Sequence, residues 1–312
     1  MRFDDLEKRV VKSAAAPHHA GMALIEMLSV RFRYHSETEW RGIIAAGLMT
    51  LNGNPTTAET ILTADDEVEY HAGKLPEPPV DATYRVLYED AAVLAVEKPG
   101  DLPCHPAGPF YRNTLWFLLN RDFGAAHPIN RLDRETSGVT LWAKNAAAAA
   151  RLSRQLPHME KRYVAAVHGN FSTPIDATGY LARDNSSTVR KKRRFMYEAS
   201  AEAQSASTIL LPIRSNNTFS LVEARPKTGR LHQIRCTLFS LGFPLVGDKL
   251  YGVDDTIYLR IKGDAITDLD REKLILPRQA LHATTLVFKH PETGDAITVE
   301  SPIPELFLSL FD

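Results

Sequence analysis

Strand-like runs outnumber helical ones in this chain, and they do not alternate with helices as a βαβ array requires. YRVLYEDAAVLAVEKPG, GVTLWAKN, KRYVAAVHG, ASTILLPI, FSLVEARP, HATTLVFKH and AITVESPIP all read as strands. Helical patterns are fewer. They fall at Thr114 to Asn120, Ala146 to Leu156, Leu231 to Leu241 and residues 264–273. The alanines of the second serve helix propensity rather than chemistry. This pattern predicts an α+β fold built on a mixed, mainly antiparallel sheet, and no internal repeat competes with it.

A Pro-rich stretch, KLPEPPVDAT, divides the chain, because Pro76, Pro78 and Pro79 stiffen it into a spacer. Residues 75–83 are therefore read as a linker between two domains, which suits 312 residues at roughly 150 per domain. Ahead of it, residues 1–19 lack apolar periodicity and read as a mobile tail or loose helix. From Met22 to Met49 apolar residues recur at three- and four-residue steps, predicting two short helices that break near Tyr34 to Ser36. Ser36 or Thr38 caps the second. LMTLNGNPT then predicts a strand and a tight Asn52-Gly53 turn, and ADDEVEYHAG another short strand. Residues 20–74 thus make a small α+β domain, and residues 84–312 a larger one.

Several classes drop out. Two cysteines, Cys104 and Cys236, exclude a disulfide framework and a Cys-rich zinc site. His105, His127, His158 and His168 are scattered singly, so no metal site is expected. The start carries acids where a signal peptide has an apolar core, and no run approaches the ~20 apolar residues that span a bilayer. A cytoplasmic protein without membrane contact is the expectation. The net charge of −1 argues against blanket coating of nucleic acid, but charge is unevenly spread. Residues 183–194 hold Arg183, Arg190, Lys191, Lys192, Arg193 and Arg194 against Asp184 alone. Residues 225–235 hold Arg225, Lys227, Arg230 and Arg235 with no acid. A charge run is by itself only a solvated face.

Three segments carry chemistry. In HPINRLDRETSGVTLWAKN, Asp133 sits between Arg131 and Arg134 on a loop that Thr136, Ser137 and Gly138 turn into a strand. A carboxylate flanked by cations stays ionised and can serve as nucleophile or base. It can equally be a turn residue accepting backbone N–H groups. Small residues after it permit close approach of a substrate backbone. In RPKTGRLHQIRCTLFSLGFPLVGDKLYG, a Lys227-Thr228-Gly229 turn launches a helix whose first turn brings Arg230, His232 and Arg235 towards an anion. In KRYVAAVHG, Tyr163 lies on a strand, where tyrosines are most often packing residues.

Together NRLDRETSG, KRYVAAVHG, the TGRLHQIR run, GFPLVGDKLYG and LHATTLVFKHPETG resemble the ordered motifs of RluA-type RNA pseudouridine synthases. VLAVEKPGDLPCHP is similar to that family's opening strand and loop, and residues 20–73 resemble an S4 RNA-binding domain. The resemblance implies that Asp133 is the catalytic aspartate, which either attacks C1′ of the target uridine or assists cleavage of its glycosidic bond. It implies that Tyr163 stacks on the uracil and is a candidate for taking its C5 proton, and that Arg235 pairs with the aspartate. Arg131 would fill the space left by a flipped base. Asn130 stands where the family usually has His, which removes a titratable ring.

On this reading RNA contacts come from Asn130, Arg131, Arg134, Arg230 and His232, with Lys191, Lys192, Arg193 and Arg194 on phosphates. No cofactor and no metal are implied. The partner is RNA, ribosomal rather than transfer RNA, and the enzyme is a monomer. Two other readings stand beside it: a catalytically silent RNA-binding or ribosome-assembly factor on the same fold, and a glycosidase-like hydrolase pairing Asp133 with Glu135.

Overall fold

In a computed structural model, residues 10–32, 35–71, 73, 76–263 and 265–312 are described, and they divide into two units. The first comprises residues up to Pro79 together with Pro106–Asn113; the second comprises Val80–His105 and Thr114–Asp312.

The first unit packs helices α1 (Leu24–Arg31) and α2 (Glu37–Ala45) on a four-stranded antiparallel sheet. Its strands are β1 (Val11–Ala14), β2 (Met49–Leu51), β3 (Asn54–Pro55) and β4 (Glu67–Tyr70), in the order β1-β4-β2-β3. Of the two candidate caps, Ser36 is the one used. Its Oγ accepts the Glu39 N–H, and Glu39 answers by accepting the Ser36 N–H at 2.6 Å. Trp40, wholly buried, anchors the core, and its indole N–H donates to the Phe32 carbonyl. The Asn52-Gly53 turn has φ of 51° and 78°, the positive pair a tight hairpin needs.

Two expectations fail here. Within the supposed tail, Val11–Ala14 is a strand in register with Glu67–Tyr70, and Ala15 beyond it is buried; residues 1–9 lie outside the described residues. Four residues are too few to show periodicity, and pairing rather than propensity makes them a strand. The Pro-rich segment is also no free spacer. The Glu77 carboxylate accepts the backbone N–H groups of Tyr111, Arg112 and Asn113 at 2.8–2.9 Å, and the Pro78 carbonyl accepts the Asn113 amide at 2.7 Å. Tyr34, Lys74 and Leu75 lie outside the described residues.

The second unit is α+β. Its strands are β5 (Arg85–Glu89), β6 (Val93–Lys98), β7 (His127–Pro128), β8 (Ser137–Ala143), β9 (Glu160–His168), β10 (Ile175–Arg183), β11 (Arg193–Met196), β12 (Gln204–Ser215), β13 (Phe219–Pro226), β14 (Leu281–Lys289) and β15 (Ala296–Glu300). They form one sheet in the order β11-β10-β12-β13-β9-β14-β8-β6-β5, with β15 on β14 and β7 on β8. Every pairing is antiparallel except β8 with β14, which run parallel through Ser137–His282 and Gly138–Ala283. Helices α3 (Leu115–Phe123), α4 (Ala146–Gln155), α5 (Gln233–Ser240), α6 (Thr256–Lys262), α7 (Asp268–Leu274) and α8 (Glu305–Leu308) complete it. The helix expected at 264–273 is α7, which starts at Asp268 because Thr267 caps it with a capping box to Asp270; α6, ahead of it, was not expected, and Asp264 lies outside the described residues. No described helix is long and apolar enough to cross a membrane.

The parallel contact fixes where the loop bearing Asp133 must run. Gly138 has φ of 108°, and a Cβ there would stand 2.2 Å from the Ala283 carbonyl oxygen of β14. The glycine expected to admit a substrate backbone instead admits the protein's own neighbouring strand.

Candidate active site

Asp133 lies on the turn before β8, and nearly every group around that turn is tied down. The buried Lys98 ammonium donates to the carbonyls of Pro99 and Arg134 at 2.7 and 2.9 Å, and burial pushes its pKa down to about 8. The Leu132 N–H donates to Cys104 Sγ, the Gln279 amide to Thr136 Oγ1 at 2.6 Å, and Thr136 N–H to the Asp133 carbonyl. Glu135 is held by the Lys249 ammonium and faces the Gln279 N–H. A carboxylate committed in this way is a brace for the turn. It is not the second acid a hydrolase would need.

Arg235, on the first turn of α5, reaches across to this loop. Its Nη1 donates to Asp133 Oδ2 at 2.6 Å. Its Nε and Nη2 donate to the two oxygens of Asp248 at 2.7 and 2.9 Å. Asp248 has no exposed side-chain surface and also accepts the N–H groups of Leu250 and Tyr251 at 2.9 Å each. Burial disfavours the charge on all three groups, but their mutual attraction outweighs it: both carboxyls sit below their ordinary range and the guanidinium above its own. Two anions hold one cation, so Asp133 is ionised at neutral pH. The basic helix start that was expected to meet an outside anion meets the protein's own carboxylates.

The hold on Asp133 is one-sided. Oδ2 takes Arg235 and lies 4.0 Å from His232 Nε2, while Oδ1 makes no hydrogen bond among the described residues. Asp133 and Arg235 line a cleft of about 140 Å³ together with Tyr163, His232, Lys161 and Arg131. Tyr163 enters it from β9, paired opposite Ala224 and Ala283, whose small side chains leave room beside the ring. Burial first, and then the Asp133 charge, push its phenol up, so it is protonated in the resting site.

The other expected contacts divide. Arg131 is exposed with Nη1 3.4 Å from His105 Nε2, and Arg134 is paired with Asp101 at 3.1 Å. Asn130 turns inward: its Oδ1 accepts the Leu141 N–H of β8 at 2.7 Å, which makes it a staple for the loop instead of an RNA contact. Arg230 donates through Nε to the Ser205 carbonyl. Lys191 and Arg194 are exposed, whereas Arg193 is half-buried and bonds the carbonyls of Arg190 and Lys192. Lys192 does not belong with them. It is buried, bridges to Asp255 at 2.5 Å and lies over the Phe239 ring. The residue that went unassigned is Asp248. Its signal was present as the acid in GDKLYG, at the end of the same segment as Arg235.

The chain is similar to known proteins. A family model described as RNA pseudouridylate synthase matches residues 92–240. Ribosomal large subunit pseudouridine synthase D of Xanthomonas campestris is 31% identical over 311 residues, covering 96% of this chain and 90% of that protein. The human pseudouridylate synthase RPUSD2 is 32% identical over 243 residues, which are 74% of this chain but 42% of that longer protein. Among solved structures, human RNA pseudouridylate synthase domain containing 1 superposes with a TM-score of 0.56 at 24% identity, covering 73% of this chain and 86% of that one; it shows the same fold.

Proposed function

The chain belongs to the RNA pseudouridylate synthase family, and on that footing we propose that it isomerises uridine to pseudouridine in structured RNA, with ribosomal RNA as target. The observation that carries the reading is the ionised Asp133, tethered through one oxygen and sharing a cleft with Tyr163, whose hydroxyl makes no hydrogen bond among the described residues. The ribosomal target rests on the name of the Xanthomonas relative. RNA is the only partner this reading needs, and a cytoplasmic monomer satisfies it.

A uridine in a helix is out of reach, so it is flipped at a cost of a few kcal/mol, with Arg131 at the rim to occupy the gap. The exposed cations of the 183–194 segment bind phosphates and offset that cost without reading sequence. In the cleft the uracil lies against the Tyr163 ring. Asp133 Oδ1 acts at C1′ as the N1–C1′ bond breaks, the uracil turns, and C5 bonds to C1′. The C5 proton then leaves and N1 gains one, so product and substrate have the same composition. Once Asp133 is consumed or neutralised, the charge that, after burial, most holds the Tyr163 proton is gone. The phenol is then better able to take part in moving the C5 proton.

A silent RNA-binding protein on this fold would have no use for a buried Asp133–Arg235–Asp248 triad beside Tyr163. Tritium release from [5-³H]uridine-labelled ribosomal RNA tests the reading. Wild type releases label and Asp133→Asn does not, with RNA binding within several-fold; the variant's melting is measured first, because Arg235 loses one of its two anionic partners. Equal release by a well-folded Asp133→Asn protein refutes it.

A further inference from the structure

His232 precedes α5 with φ of 56°, a left-handed conformation uncommon for non-glycine residues. Its ring is almost wholly buried and both nitrogens have defined surroundings. Nδ1 lies 3.0 Å from the Tyr251 hydroxyl oxygen, and that same oxygen accepts the Arg193 backbone N–H at 2.9 Å. Tyr251 is fully buried, so its hydroxyl proton needs an acceptor, and Nδ1 is the acceptor the described contacts provide. The bond therefore runs from Tyr251 Oη–H to Nδ1, and the ring proton belongs on Nε2. Were Nδ1 protonated instead, two donors would meet the phenol oxygen and its own proton would be orphaned in the core.

Nε2 faces the cleft. It stands 4.0 Å from Asp133 Oδ2, too far to hydrogen-bond, so its proton has no acceptor among the described residues. The charged groups around the ring are Arg235, Asp133, Lys191 and Asp248. Burial together with Arg235 pushes the ring down to about 4, leaving it neutral at working pH.

We infer that His232 is a neutral, tautomer-locked donor whose Nε2–H binds an oxygen acceptor of the flipped uridine, with Tyr251 as the lock. This rests on the isomerase reading of the same cleft. A cationic ring would compete with Arg235 for Asp133 and weaken the tether. A neutral donor can orient the nucleotide without doing so. Because the lock also takes the Arg193 N–H, the basic edge at β11 and the cleft share one hydrogen-bonded chain.

The test has two arms. In ¹⁵N-histidine-labelled wild-type enzyme without RNA, His232 shows a protonated Nε2 and an unprotonated Nδ1 throughout pH 6–8, and Tyr251→Phe mixes the tautomers. An imidazolium or an Nδ1–H tautomer at pH 7 overturns the inference. In tritium release, His232→Asn, which tolerates the left-handed backbone and keeps a partner for Tyr251, lowers kcat/KM by about 10- to 100-fold, as the loss of one buried donor implies. Tyr251→Phe moves it the same way by less, and wild-type turnover has no inflection between pH 5.5 and 8 that the His232 variant lacks. Full turnover by His232→Asn beside an inactive Asp133→Asn sinks the donor role and leaves the isomerase standing. If Asp133→Asn matches wild type, the isomerase reading falls, and the nitrogen-resonance arm still decides the tautomer.

Discussion

Replacing Asp248 by Asn tests whether charge compensation is what keeps Arg235 in place. The side chains are the same size, so no cavity forms. Asp248 Oδ1 accepts from Arg235 Nη2 and from the N–H groups of Leu250 and Tyr251, while Oδ2 accepts from Arg235 Nε at 2.7 Å. An Asn that keeps Oδ1 in place sets its amide N–H₂ against the Arg235 Nε–H. Flipped, it sets the amide against two backbone N–H groups instead. Either way donors face donors in a buried site, and Arg235 keeps one anionic partner in place of two. Removing one member of a buried ion pair costs about 3–5 kcal/mol. At about 2–4 °C per kcal/mol for a unit of this size, the larger unit's melting transition should fall by about 6–20 °C. Calorimetry reads the transition, with Asp268→Asn at the exposed Arg271 pair as a near-silent control. At 25 °C, where the variant is still folded, tritium release should fall far less than in Asp133→Asn, because Asp133 keeps its charge. A melting point within about 2 °C of wild type would show that Asp248 does not carry Arg235.

Tyr163→Phe keeps the stacking ring but not the hydroxyl: RNA binding should stay within several-fold while tritium release drops at least about 100-fold, and retained release would confine Tyr163 to stacking. Replacing the exposed Arg190, Lys191 and Arg194 with Ala should weaken binding to all RNAs and lower the slope of log K against log salt by about 2, whereas Lys192→Ala should chiefly lower the melting temperature. An unaltered slope would return that edge to a solvated face. Burial pushes both His232 and His282 down to about 4 from an unfolded value near 6.5, so their stabilising effect is complete above pH 6.5 and is lost as pH falls towards 4, at up to about 1.4 kcal/mol per pH unit each. Thermal melts from pH 7.5 to 4.5 should show that slope, and His282→Asn, which removes a ring held between Ser137 and Ser301, should flatten it; an identical slope would refute the assignment.

The sequence made legible what local patterns govern. Alternation placed Tyr163 on a strand, the small residues after Asp133 marked a turn into β8, and Ser36 was readable as a cap. It concealed what distant pairing governs. β1 exists because Glu67–Tyr70 receives it, about 55 residues on. Gly138 answers to Ala283, which no neighbouring residue reveals. The run at 190–194 looks uniform because like charges do; only the fold buries Lys192 beside Asp255 and leaves Lys191 outside. Asp248 was visible only as an acid in GDKLYG, since an acid in a turn shows its partner once α5 is folded against it.

These placements also locate the phosphate contacts. Residues 1–79 hold 8 Lys and Arg against 12 Asp and Glu, and the remainder 29 against 26. Three of the first unit's described cations bind within that unit. Lys12 bridges Glu67 and Glu69 at 2.8 and 2.5 Å, Arg41 bridges Glu37 and Glu59 at 3.0 and 2.6 Å, and Arg31 caps the Ala14 carbonyl. Lys12 and Arg41, already ion-paired, release fewer counterions on meeting RNA than unpaired cations do. The salt-dependent grip then falls to the edge at β11, the same edge whose Arg193 N–H ends on Tyr251 and, through it, on the ring beside Asp133.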